Sequence, residues 1–69
     1  MKPLTVREFA RFLEARGWRL LRVNGSHHIY GKPGEIAHLS LPIHTGKPLK
    51  LGLLRHLAKL AGLTDTDLG

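Results

Sequence analysis

Val6, Phe9, Ala10 and Leu13 recur at spacings of three and four, with Arg7, Arg11 and Glu14 between them. That spacing puts the apolar side chains on one stripe of a helix and the charges off it. Thr5 followed three residues later by Glu8 reads as a capping box, so the helix is expected over residues 5–16. Gly17 supplies its stop. The period then changes. WRLLRV (18–23) and HHIYG (27–31) carry strand-compatible residues around Asn24-Gly25, the strongest short hairpin signal. Lys32-Pro33-Gly34-Glu35 is a second turn, and IAHLSL (36–41) a third strand that Pro42 ends by removing a ladder donor.

After the Pro/Gly-rich loop 42–50, a second helix is expected from Leu51 to Ala61. Leu54, Leu57, Ala58 and Ala61 form its apolar stripe, with Leu53 and Leu60 beside it and Gly62 at its end. The tail TDTDL either adds a turn or frays. The order α-β-β-β-α in a single domain, 1–69, predicts an α+β fold. Its three-stranded antiparallel sheet carries both helices on one face and leaves the other open.

The chain has 69 residues and no cysteine, which excludes disulfide staples and thiolate metal cages. A chain of this length buries only about 60% of the surface its unfolded form exposes. No apolar run approaches a membrane span and the N-terminus is unlike a signal peptide, so a cytoplasmic protein without membrane contact is expected. Eleven Lys+Arg against five Asp+Glu give a formal charge of +6. On so small a body that charge draws polyanions, nucleic acid foremost.

Five histidines invite a metal reading, but they lack a helical H-x-x-x-H and have few acidic companions, so neither metal nor cofactor is expected. Metal-free RNA cleavage fits better. It needs a base for the 2′-OH and cations for the phosphorane, which histidine, arginine and lysine supply. Strand alternation sends His27 and His28 to opposite faces. Tyr30 is the bulkiest residue of its strand and suits the covered face. His28 then lies beside it, with His27 and Ile29 on the open face, unless a bulge near Gly25-Ser26 reverses the assignment. Trp18 reads as core.

GW-x-L-x-R-x-x-GSHHIY (17–30), LPIH (41–44) and GKPLKLGLLRHLAKLAGL (46–63) together resemble the HicA family of mRNA-interferase toxins over essentially the whole chain. The resemblance implies a fold like a double-stranded-RNA-binding domain. It also implies endoribonuclease action on mRNA and neutralisation by a HicB antitoxin that covers the active face. Carried onto these positions, the catalytic residue is His27, while Gly25 and Ser26 shape the turn before it.

The supporting positions stay open between two roles. His44 contacts phosphate or caps its loop; Lys47 and Lys50 contact phosphate or are solvated; Arg22 reaches RNA or pairs on the sheet surface. A non-catalytic RNA-binding module and a partner-binding domain are the rival readings. No exposed apolar stripe is long enough to demand a dimer.

Overall fold

A computed structural model of the chain describes residues 2–43 and 46–68. The elements are α1 (Val6–Ala15), β1 (Arg19–Asn24), β2 (His27–Gly31), β3 (Leu39–Pro42), α2 (Leu51–Ala61) and a short α3 (Asp65–Leu68). The sheet is antiparallel in the order β1-β2-β3, so β2 is central. The expected α-β-β-β-α order is therefore present, and the tail adds one further helical turn.

The capping box forms at α1 with both bonds made. Glu8 N–H donates to Thr5 Oγ1 at 3.2 Å, and Thr5 N–H donates to Glu8 Oε1 at 2.9 Å. Gly17, beyond the C-cap Arg16, takes φ 93°, where a Cβ is disfavoured. Val6, Phe9, Ala10 and Leu13 are buried and meet Leu54, Leu57 and Ala58 of α2 in one core. Tyr30, Leu39 and Leu41 rise into that core from the sheet, so both helices cover the same face. Trp18 is part of this core, as expected. Ala61 and Leu53 only border it, and Leu60 is exposed.

The first strand runs one residue later than 18–23, and both ends of the third differ from expectation. The third strand begins at Leu39 instead of Ile36, because β2 ends at Gly31 and its ladder closes with Tyr30 opposite Leu39. Residues 36–38 have no strand to pair with, and Ile36 is fully exposed. Pro42 belongs to β3, opposite His27, as its last residue on an edge strand, where a missing donor is tolerated. The hairpin loop is also one residue later than Asn24-Gly25. Asn24 pairs with His27, and Gly25 at φ 62° leads a Gly25-Ser26 turn.

The helices cover β2 and β3 but not β1, every residue of which is exposed. Leu20, Leu21 and Val23 stay 46%, 50% and 59% exposed, more apolar surface than the hydrophobic pattern suggested. Among the described residues no helix is long and apolar enough to cross a membrane.

Candidate functional site

Residues directly opposite in a ladder share a face. His28 lies between Val23 and Leu41, and Tyr30 between Leu20 and Leu39. Since Tyr30, Leu39 and Leu41 are core, this is the helix-covered face. His27 lies between Asn24 and Pro42, and Ile29 between Arg22 and Ser40, on the other side. The alternation argument thus places the histidines as expected: His27 is exposed on the open face, and His28 is half-buried on the covered one.

Arg22 reaches the open face through a β-bulge. The register shifts between Leu20 and Arg22, so Leu21 is an extra residue on β1. Simple alternation from Leu20 would send Arg22 to the helix side, but the bulge turns it outward opposite Ile29. It sits diagonally across from His27, which pairs with Asn24 two residues further on. No register shift occurs near Gly25-Ser26, where one would have reversed the histidines; the bulge is in β1 and leaves the alternation of β2 intact.

The turn that presents His27 is fixed by backbone geometry. Gly25 has open space around its missing Cβ, so its φ of 62° is the reason for glycine there. Ile43 N–H donates to Ser26 C=O at 2.8 Å, extending the β2–β3 ladder into the turn. Ser26 itself is exposed. Among the described residues no side chain hydrogen-bonds His27, and no group of three or more potential metal ligands comes together.

Lys47 and Lys50 are exposed on the segment leading into α2. That segment is tied to the N-terminal stretch by a Thr5–Pro48 bridge and by Leu49 N–H donating to Leu4 C=O at 2.7 Å. Lys50 is the N-cap of α2 and offers its first turn no side-chain acceptor, and that turn carries no acidic residue. This leaves an electropositive helix end beside two lysines. No hydrogen bond or ladder pairing joins these lysines to His27. His44, the remaining candidate, lies outside the described residues.

On the opposite side of the sheet, His28 and Tyr30 border a groove of about 540 Å³ whose wall is α1, with Arg7, Arg11 and Glu14 along it. Burial, and secondarily the Glu14 carboxylate, hold the Tyr30 phenol above its ordinary pKa, so it stays neutral. The sequence pattern showed these arginines only as the polar side of a helix. Their convergence on β2 depends on packing that local spacing does not report.

Beyond geometry, the family model described as HicA toxin of bacterial toxin–antitoxin matches residues 6–63. No curated protein matches the chain. The matched span runs from the first residue of α1 to Leu63, which folds back on the end of α2 with its N–H on Ala58 C=O at 2.8 Å, and so takes in the whole sheet and both long helices. The chain belongs to the HicA toxin family of bacterial toxin–antitoxin systems.

Proposed function

We propose that this toxin is an endoribonuclease that cleaves mRNA using side chains alone, with His27 as the general acid/base. The observation that supports this best is the exposed His27 beside Arg22 on the one sheet face the helices leave free. RNA laid on that face would meet an imidazole and a guanidinium together. His27 takes the proton of a 2′-OH, and that oxygen attacks the adjacent phosphorus. The phosphorane's charge is met by Arg22, and the 5′-oxygen of the next nucleotide leaves on the opposite side with a proton from solvent water, while His27 releases the proton it took to solvent. The products are a 2′,3′-cyclic phosphate and a 5′-OH. Gly25 and Ser26 hold the turn; Lys47 and Lys50 bind flanking phosphates, with His44 as a further candidate contact.

The family's pairing of toxin with antitoxin supports a protein partner, and we assign a HicB-type antitoxin to that role. A non-catalytic RNA-binding module of the same double-stranded-RNA-binding-domain type is the second reading, favoured by the absence of a side chain orienting His27 among the described residues. Incubating purified protein with end-labelled RNA in EDTA separates the two. New fragments ending in 2′,3′-cyclic phosphate support cleavage; a gel shift of intact RNA supports binding alone.

A further inference from the structure

The face of β1 turned toward the helices is uncovered, although its counterparts on β2 and β3 are core. Leu20 and Val23 lie on that face, directly opposite Tyr30 and His28, yet remain 46% and 59% exposed. Tyr30 and His28 also border the groove beneath α1. Ladder pairing sets Leu20 and Val23 beside these two residues, so the groove floor extends onto β1 as a ledge, and its α1 wall bears Arg7 and Arg11 with Glu14 after them. Within the described residues the one ion pair is Arg16–Asp67, so neither wall arginine is in contact with a carboxylate, although Arg11 acts on Glu8 at longer range.

The chemistry of the ledge selects among occupants. RNA is bound through phosphates and stacked bases, and two aliphatic side chains beside a nearly buried Tyr30 offer no stacking platform. A second copy would bring another +6 chain and another pair of arginines against this wall, which like-charge contact opposes. An apolar floor with cations along one side complements a segment that is apolar on one side and acidic on the other. We infer that the ledge between β1 and α1 docks an acidic, amphipathic segment of a partner protein. Because the ledge and His27 lie on opposite faces of the sheet, this surface is separate from the RNA face proposed above and stands whether or not His27 cuts RNA.

The test uses a phage-displayed random peptide library selected on the intact chain, with a Leu20→Ser/Val23→Thr variant and an Arg7→Ala/Arg11→Ala variant as counter-baits. Both pairs are exposed, and thermal unfolding confirms that the variants fold. Enriched peptides should pair Asp/Glu with a periodic apolar face, should bind each variant at least about tenfold more weakly, and should bind His27→Ala like the wild type. A pool without that pattern, or one that binds the variants equally well, overturns the inference. Loss of RNA binding in the Leu20/Val23 variant would overturn it in favour of RNA. A wild-type dimer in sedimentation that this variant abolishes would overturn it in favour of self-association.

Discussion

Leu21 Cδ1 lies 2.6 Å from where a Cβ on Gly31 would stand, and Leu21 Cγ only 3.2 Å from it. The bulge residue of β1 therefore occupies the space that a side chain at the end of β2 would need. Because that bulge turns Arg22 to the open face, Gly31 is linked to the site through packing at the far end of the same strand from His27.

Gly31→Val should accordingly destabilise the fold by about 1 kcal/mol, the low end of the cost of overpacking, because Leu21 is half-exposed and can partly give way. Valine is otherwise favoured in strands, so the sign is diagnostic. Adding Leu21→Ala should recover most of the loss, a coupling that a double-mutant cycle in urea measures. Equal losses in the two backgrounds would mean that Leu21 is not what the glycine accommodates.

Arg22→Ala should leave thermal stability almost unchanged, since the residue is exposed and outside the core. If Arg22 meets a phosphate, RNA affinity falls and the slope of log K against log salt becomes shallower by about 1. Titrations at several salt concentrations read both quantities. An unchanged slope would assign Arg22 to the bare sheet surface.

Much of this arrangement was readable from the chain. The α1 stripe, the capping box and the opposite facing of His27 and His28 follow from periods of local sequence, and each is present. The late start of β3 was not, because IAHLSL alternates acceptably whether or not a partner strand reaches it; only the end of β2 at Gly31 decides. The bulge escaped for a related reason. It depends on Leu21 and Gly31, ten residues apart, fitting across a ladder. The glycine that could have marked a bulge, Gly25, serves the turn. The ledge beside α1 was hidden because β1 has the composition of a covered strand and lacks only the cover.

Acid should loosen the C-terminal end of the fold. Asp67 accepts the Thr64 N–H at 2.8 Å and the Thr64 hydroxyl at 3.0 Å, and pairs with Arg16 at 2.9 Å. Thr64's hydrogen bonds foremost, then Arg16, hold its carboxyl below the ordinary 3.8. A carboxyl lowered in the folded state contributes stability that is fully present above its unfolded value and lost as pH falls through the folded one. Asp67→Asn should therefore lower Tm at pH 6, and the gap from wild type should shrink as pH falls below the ordinary 3.8. Glu8, lowered mainly by the Thr5 backbone N–H, adds a loss of the same sign. A gap that stays constant down to pH 2 would contradict the assignment.

The most direct test of the account compares His27→Ala with His28→Ala on end-labelled RNA, after thermal unfolding shows both folded. The two residues are adjacent in sequence and opposite in facing. Cleavage by His27→Ala should fall by about 100-fold or more, as loss of a general acid/base does, while His28→Ala stays within a few fold of wild type. Cleavage that survives in His27→Ala, or is lost only in His28→Ala, would place the chemistry on the other side of the sheet or outside the pair altogether.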